Sequence, residues 1–230
     1  MGELVVNKFP KSGVTEAIKS IRTNLIFSSI NSKMKTILIT SSTSGEGKSF
    51  ISANLACAYA NAGKKVIIVD CDLRRGRQFD IFRVGSKKGL SNLLVDENWK
   101  ESFNDYIQGT GVENLDIMTT GVYPPNPTVL LESKKIRKVF KVLSEFYDVV
   151  ILDAPPVIGL TDSLILSRLA DINLIACKCK KTTIDMLNNT KSSLEGVGAN
   201  IGGVIFNGVD YKTNKYYNKY YNNSYYLEKW

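Results

Sequence analysis

The segment that most constrains the fold lies at residues 36–62, TILITSSTSGEGKSFISANLACAYANA. An apolar run at 36–39 ends in a cluster of Ser, Thr and Gly residues, and a helical pattern begins at Lys48 and Ser49. This order predicts a strand, a loop and a helix. Glycines in such a loop let successive backbone N–H groups turn inward, and the helix N-terminus adds the positive end of its dipole. The segment therefore predicts a site for a phosphate-bearing ligand.

The loop departs from the phosphate-loop pattern G-x-x-x-x-G-K-[ST] at its first position. Ser42 replaces the first glycine, whereas Gly47, Lys48 and Ser49 are in place. We expect Lys48 to reach the β- and γ-phosphate oxygens of a nucleotide and the Ser49 hydroxyl to bind Mg²⁺. The alternative is an ordinary glycine-rich turn between a strand and a helix. The residues predicted to contact the nucleotide in this segment are Ser44, Gly45, Glu46, Gly47, Lys48, Ser49 and Phe50.

Two further apolar runs end in carboxylates. The run at 65–72, KVIIVDCD, ends at Asp70 and Asp72, and the run at 148–156, DVVILDAPP, contains Asp153. Such apolar runs predict strands buried on both faces, and the carboxyl ends of parallel strands lie at the ligand-binding edge of a sheet. We expect these carboxylates to handle Mg²⁺ and to activate an attacking oxygen. The alternative is that they are structural residues at strand ends, such as helix caps.

The rest of the chain alternates strands with helices. Further strands are predicted at 115–121, 172–178 and 201–207, and helices at 14–29, 133–146 and 183–195, with another helix starting at 161–162. Two short helices are predicted between 89 and 107, and a proline-rich loop at 124–127. This alternation predicts an α/β fold with a doubly wound, mainly parallel sheet flanked by helices. We expect a single domain at 1–210, followed by a flexible tail at 211–230.

Composition excludes several kinds of chemistry. The chain has no histidine, which excludes Ser-His-Asp and Cys-His catalysis and histidine-ligated metals. Any proton transfer falls to Asp, Glu or Lys. The net charge of +8 is spread along the chain, which is typical of solvated surfaces. No apolar run of membrane-spanning length or signal peptide is present in the sequence, so we expect a cytosolic chain. Buried free thiols are predicted for Cys57, Cys71, Cys177 and Cys179.

The end of the chain has a different composition. Residues 211–230, YKTNKYYNKYYNNSYYLEKW, carry seven of the eleven tyrosines among Asn, Lys and Ser. Such a tail is a solvated end, a stacking surface for single-stranded nucleic acid, or a substrate. Phenols on a flexible tether beside a nucleotide site are well placed to receive a phosphoryl group. The candidate phosphoacceptors are Tyr216, Tyr217, Tyr220, Tyr221, Tyr225 and Tyr226.

Taken in order, these motifs resemble the bacterial tyrosine autokinases of capsular and exopolysaccharide synthesis, the CpsD/CapB type, which are related to the MinD/ParA ATPases. The resemblance covers nearly the whole chain. It is carried by EAIKSIRTNLIFSS, SSTSGEGKS, VIIVDCDLR, GVYPPNPTVLLES, VVILDAPP and the tyrosine cluster at the end. It implies a P-loop NTPase fold, ATP and Mg²⁺ as cofactors, and phosphorylation of the tail tyrosines in trans.

The resemblance also assigns roles to individual residues. Asp70 would accept or steer the proton of the attacking tyrosine, and Asp72 and Asp153 would hold the metal together with Ser49. Asn207, at the end of the last predicted strand, would hydrogen-bond adenine.

Partners follow from the same resemblance. It implies a ring-shaped homo-oligomer whose interface includes Glu16, Lys19 and Arg22, in a motif where Lys19 replaces the usual arginine. Lysine lacks the planar fork of arginine, so the pairing at this position differs. It implies activation by the cytoplasmic segment of a transmembrane polysaccharide chain-length regulator, which places the chain at the inner face of the membrane. Sugar-nucleotide enzymes are further candidate substrates, and no nucleic-acid partner is expected.

Two other functions remain open at this point. One is a MinD/ParA-like positioning ATPase, although Thr43 stands where that group has a signature lysine. The other is a non-catalytic, nucleotide-gated scaffold on a membrane complex. After Asp72, the sequence has Arg74, Arg75 and Gly76 where the kinases have Arg-Lys-Pro, and we expect the glycine to make this turn more flexible.

Overall fold

A computed structural model describes residues 3–28 and 34–209 of the chain. The predicted phosphoacceptor tyrosines lie outside these residues, so the division into a domain and a tail at residue 210 stays a prediction. In chain order the elements are α1 (Val5–Lys8), α2 (Gly13–Ser28), β1 (Thr36–Ser41), α3 (Lys48–Ala60), β2 (Val66–Asp70), α4 (Gln78–Phe82), α5 (Leu90–Val95), a 3₁₀ helix (Phe103–Tyr106), β3 (Gln108–Gly109), β4 (Leu115–Met118), α6 (Pro127–Glu132), α7 (Lys134–Phe146), β5 (Val149–Asp153), α8 (Asp162–Ser167), β6 (Ile172–Lys178), α9 (Ile184–Gly196) and β7 (Ile201–Asn207).

Over the described ranges the strands form one sheet in the order β3-β4-β2-β5-β1-β6-β7. Neighbouring strands are parallel except for β3 and β4, which are antiparallel. The predicted mainly parallel α/β sheet is therefore confirmed. β5 lies between β1 and β2, with Asp153 in register with both Ile39 and Asp70. The phosphate loop and the two acidic strand ends consequently meet at one edge of the sheet.

The core lies on both faces of this sheet. Ile37 and Ile39 of β1 belong to the apolar layer beneath α2 and α3, whereas Leu38 belongs to the opposite layer, which includes α5 and α7. All three side chains are buried. Because each central strand packs helices on both faces, both sets of alternating side chains are apolar, which explains the uninterrupted runs in the sequence.

The structure adds short elements that periodicity did not detect. α1, α4 and β3 contain only 4, 5 and 2 residues, too few to show a repeat. α6 begins at Pro127, inside the predicted loop. Proline fits the first turn of a helix because its missing N–H has no intrahelical partner there. β4 ends at Met118, three residues before its predicted end.

The prediction of buried free thiols is confirmed for three of the four cysteines. Cys57, Cys71 and Cys177 are buried free thiols, and Cys179 is a half-buried one. None of the helices in residues 3–28 and 34–209 combines the length and the apolar character needed to span a bilayer.

The buried side chain of Asn54, in α3, hydrogen-bonds the N-terminal segment. Its Oδ1 accepts a hydrogen bond from Val6 N at 3.0 Å, and its Nδ2 donates to Glu3 O at 2.8 Å and Phe50 O at 2.9 Å. Asn54 therefore joins the chain start to the helix that follows the phosphate loop.

Replacing Asn54 by alanine is expected to lower the free energy of unfolding by about 1–3 kcal/mol, because buried backbone groups of the N-terminal segment lose their partner. Urea denaturation of the two proteins measures the difference. Asn61→Ala is the matched control, since Asn61 is exposed and its amide bonds to Asn7 at 3.0 Å; it should cost less than about 0.5 kcal/mol. Equal losses in the two variants would contradict the anchoring role.

Candidate active site

The phosphate loop joins β1 to α3 and depends on two glycines in the left-handed region. Gly45 has a φ of 75° and Gly47 a φ of 97°, and α3 begins immediately after Gly47. A β-carbon at Gly47 would lie 1.9 Å from Asn207 Nδ2, so a larger residue does not fit. No side chain caps the start of α3 at Gly47. Its first N–H groups are thus available to an anionic ligand.

A cavity of about 420 Å³ opens in front of this loop. Lys48 lies at its base with only 8% of its surface exposed. Asp72 reaches the cavity from the end of β2. The basic side chains suit a polyphosphate. The lining residues are Ser44, Gly45, Gly47, Lys48, Ser49, Phe50, Asp72, Arg74, Arg75, Arg77, Pro156 and Leu160.

Asp70 and Asp153 form a buried pair of carboxyl groups behind the cavity. Neither side chain has more than 1% of its surface exposed. Burial raises the pKa of the Asp153 carboxyl, an effect reduced by hydrogen bonds from Ser49 and Gln78 and by the charge of Lys48. Burial also raises the pKa of Asp70, and the Asp153 carboxylate raises it further. The carboxyl groups of Asp70 and Asp153 are therefore held close together in the protein interior, where ionisation is unfavourable.

Gln78, the first residue of α4, connects the two carboxyl groups. Its Nε2 donates to Asp153 Oδ2 at 2.8 Å and to Ser49 O at 3.0 Å, while its backbone N–H donates to Asp70 Oδ2 at 2.9 Å. Ser52 Oγ lies 3.3 Å from Asp153 Oδ1. The sequence does not indicate a role for Gln78, because a single glutamine after an arginine-rich turn belongs to no recognisable motif. It orders the acidic strand ends relative to the phosphate loop.

Asp70 and Asp72 face different environments although one residue separates them. Asp70 has no exposed surface, and its Oδ1 accepts from Asp72 N at 3.3 Å. Asp72 is half-buried and lines the cavity, and its Oδ1 accepts from Arg74 N at 3.2 Å and Arg75 N at 2.9 Å. Asp72 can therefore meet a ligand directly, whereas Asp70 is screened from it.

Gly76 covers the Asp70 carboxyl group. A β-carbon at this position would lie 2.6 Å from both Asp70 carboxylate oxygens and 2.3 Å from Thr120 Cγ2. The carbonyl of Gly76 accepts a hydrogen bond from the Tyr123 hydroxyl at 2.9 Å. The structure accordingly explains this glycine by close packing against Asp70, rather than by the flexible turn expected from the sequence.

Two residues predicted to contact the nucleotide, Glu46 and Asn207, form hydrogen bonds with the phosphate loop through their side chains. The Glu46 side chain has no exposed surface, and Glu46 does not line the cavity, so this side chain is not placed to contact a ligand there. Asn207 Nδ2 donates to Glu46 O at 3.1 Å. Asn207 thus supports the phosphate loop in this structure, and its contact with adenine stays a prediction.

The residues predicted to form an oligomer interface make contacts within the chain. Lys19 pairs with Glu16 on the same helix at 2.7 Å, and Arg22 donates to Ala58 O of α3 at 2.7 Å. The side chains of Lys19 and Glu16 remain partly exposed. Their role between subunits stays a prediction.

The carboxylates fit Mg²⁺ held jointly with a nucleotide. Within residues 3–28 and 34–209, no group of three or more Cys, Asp and Glu side chains is arranged to hold a metal by itself. Mg²⁺ is commonly bound by one or two carboxylates together with substrate phosphates. Asp72 at the cavity and Asp153 beside Lys48 and Ser49 match that pattern.

We expect Asp153→Asn to stabilise the nucleotide-free chain in the presence of a chelator. An asparagine keeps the contacts to Gln78 and Ser52 without a buried charge. The pKa of Asp153 is higher in the folded state than in the unfolded state. The wild type therefore loses stability as the pH rises from the pKa of the unfolded state through that of the folded state. The gain in Tm should therefore be larger at pH 8 than at pH 5, by about 2–4 °C for each kcal/mol relieved. Calorimetry at both pH values measures it, and equal gains would contradict the assignment.

Gly76→Ala is expected to destabilise the chain by about 1–3 kcal/mol, because the added methyl group overlaps the Asp70 carboxyl and Thr120. Gly109→Ala is the control, since a β-carbon there meets no atom within 4 Å. Urea unfolding should show a loss for the first variant that clearly exceeds that of the second. A loss confined to Gly109→Ala would refute the close packing at Gly76.

Comparison with known proteins identifies the family. Residues 34–200 match the AAA domain family. The tyrosine-protein kinase YwqD of Bacillus subtilis is 34% identical over 220 residues, which cover 96% of this chain and 92% of YwqD. A more distant fold match, the septum site-determining protein MinD of Pyrococcus horikoshii, has a TM-score of 0.61 at 24% identity and covers 75% of this chain and 69% of that one.

Two solved structures are more similar than MinD. The kinase domain of the Escherichia coli tyrosine kinase ETK superposes with a TM-score of 0.85 at 33% identity, covering 91% of this chain and 80% of that chain. The chimerical protein CapA2B2 has a TM-score of 0.83 at 37% identity, covering 89% of this chain and 88% of that one. The chain therefore belongs to the AAA domain family and to the bacterial tyrosine-protein kinases.

Proposed function

We propose that this chain is an ATP-dependent autokinase that phosphorylates the tyrosines of its own C-terminal tail. The observation that carries the proposal is the meeting of three adjacent strand ends at one edge of the sheet. Lys48, after β1, and Asp72, after β2, line the cavity there, and Asp153, at the end of β5, is buried beside Lys48 and Ser49. A phosphate cradle, metal-binding carboxylates and an open face for an acceptor are the parts that phosphoryl transfer requires. Kinship with proteins named tyrosine-protein kinases supports the phenol as the acceptor.

Each residue has a stated task in this proposal. The N–H groups of the phosphate loop and the Lys48 ammonium hold the phosphates of ATP, and Ser49, Asp72 and Asp153 hold Mg²⁺. When bound, Mg²⁺ neutralises charge on the phosphate oxygens. The arginine-rich segment after Asp72 adds positive charge to the lining of the cavity.

The proton of the attacking tyrosine is assigned to Asp70. Its pKa is raised by burial, which makes it a stronger base than an ordinary aspartate. A tyrosine hydroxyl has a pKa near 10, and the transition state of phosphoryl transfer is loose, so modest assistance suffices. Because Asp70 has no exposed surface, the acceptor's proton reaches it only after the segment of Gly76 moves away.

The regulatory part of the proposal concerns partners. We propose phosphorylation in trans between neighbours of a ring-shaped homo-oligomer, with Glu16, Lys19 and Arg22 at the contact. We also propose control of capsular or exopolysaccharide synthesis through a transmembrane adaptor at the inner face of the membrane. The similarity to the chimera named CapA2B2 supports such an association.

Lys48→Met is expected to reduce tail phosphorylation by a factor on the order of 100 or more, because the phosphates lose their buried cation. The purified chain is incubated with Mg-ATP, with and without the adaptor's cytoplasmic segment, and phosphotyrosine is mapped by mass spectrometry. Lys64→Met, an exposed lysine just beyond the other end of α3, is the control and should retain activity.

The same experiment distinguishes the other functions. Phosphate release without tail phosphotyrosine indicates a positioning ATPase of the MinD/ParA type. Neither product, under both conditions, indicates a nucleotide-gated scaffold. Persistent phosphotyrosine in Lys48→Met would refute the assigned site.

A further inference from the structure

The turn between β6 and α9 contacts the phosphate loop through residues that do not line the cavity. Lys181 Nζ donates a hydrogen bond to Ser44 O, and Thr182 Oγ1 donates to Glu46 Oε1. We propose that Lys181 and Thr182 are positioning residues that orient the phosphate loop and thereby set its affinity for nucleoside di- and triphosphates. This inference rests on the nucleotide binding included in the proposed function, and it adds two residues that no phosphate-loop pattern contains.

The orientation of one peptide bond explains the effect of Lys181. In a trans peptide the C=O of one residue and the N–H of the next point in opposite directions. Lys181, which does not line the cavity, bonds the Ser44 carbonyl through its ammonium group, and this nitrogen lies 3.2 Å from the position of a β-carbon on Gly45. The N–H of Gly45 is consequently aimed at the cavity side, where a phosphate oxygen would bind.

Thr182 helps to hold the negative charge of Glu46 away from a bound polyphosphate. A carboxylate within a loop that binds polyphosphate would repel its ligand if it turned toward the cavity. The Glu46 side chain instead has no exposed surface and accepts hydrogen bonds from Thr43 N at 3.0 Å and Thr43 Oγ1 at 3.2 Å, as well as from Thr182. Thr43 belongs to the phosphate loop, whereas Thr182 comes from the turn after β6. The bond from Thr182 therefore fixes this conformation of the Glu46 side chain relative to the rest of the fold.

The turn that carries both residues is itself rigidly attached to the sheet. Thr182 N donates to Lys178 O at 2.9 Å, and Lys178 N donates to Thr182 Oγ1 at 2.9 Å. Lys180 takes a left-handed φ of 63°, which reverses the chain. β6 pairs directly with β1, the strand that leads into the phosphate loop. The loop is therefore braced against its own neighbouring strand.

The test measures binding of Mg-ADP to the full chain by titration calorimetry. Lys181→Met and Thr182→Val should each weaken binding by about 3- to 10-fold, the size expected for the net contribution of one ordinary hydrogen bond. Lys181→Arg and Thr182→Ser should restore most of the affinity, because each keeps a donor at the same place. Lys180→Met is the charge-matched control, since Lys180 is exposed and adjacent, and it should change binding by less than about 2-fold.

A second measurement separates positioning from general stability. Hydrogen exchange of the nucleotide-free chain should be faster at residues 42–47 in Lys181→Met and Thr182→Val, with Tm within about 2 °C of the wild type.

Equal weakening of ADP binding in Lys180→Met and Lys181→Met would show that the effect comes from net charge alone and would overturn the proposal. So would unchanged ADP affinity in both positioning variants, failure of the Arg and Ser variants to restore binding, or a wild type that binds no ADP. A wild type that binds Mg-ADP but forms no phosphotyrosine would overturn the kinase proposal and leave this one standing.

Discussion

The parallel pairing of β5 with both of its neighbours is the constraint on which the rest of the site depends. Parallel neighbours run in the same direction, so the residues that follow β1, β5 and β2 emerge at the same edge of the sheet. The register of Asp153 with Ile39 and Asp70 brings the Asp153 carboxylate beside the strand that enters the phosphate loop. Helices on both faces are needed to bury such strands, and the same helices close the back of the site.

This arrangement places two carboxyl groups where burial disfavours their charge. The cost is offset by hydrogen bonds from Gln78 and by the positive charge of Lys48 near Asp153. Gly76 completes the enclosure by packing directly on Asp70. Natural sequences depart from the best packing and electrostatics chiefly at functional sites, and a pair of buried acids next to a phosphate cradle is such a departure. A cation bound with the nucleotide would supply the compensation that the free chain lacks.

The phosphate loop is shaped as much by its outer contacts as by its own glycines. The end of β7 contributes Asn207, which donates to Glu46 O and fills the space beside Gly47. The turn after β6 contributes Lys181 and Thr182. These contacts come from the half of the sheet that carries none of the acidic residues. One half thus supplies the carboxylates, and the other holds the loop in the conformation that presents its N–H groups.

The sequence by itself determined the strands other than β3, the phosphate loop and the acids that follow the strands, because these features are contiguous patterns governed by local geometry and burial. It also indicated the family, through motifs in a fixed order. Only the tertiary structure decided that Gln78 bonds Asp153 across 75 positions and that Lys181 reaches Ser44 across 137. It likewise decided that the Glu46 side chain turns away from the cavity. Such contacts join residues that are adjacent only after the strands have been ordered in the sheet, so no local pattern records them.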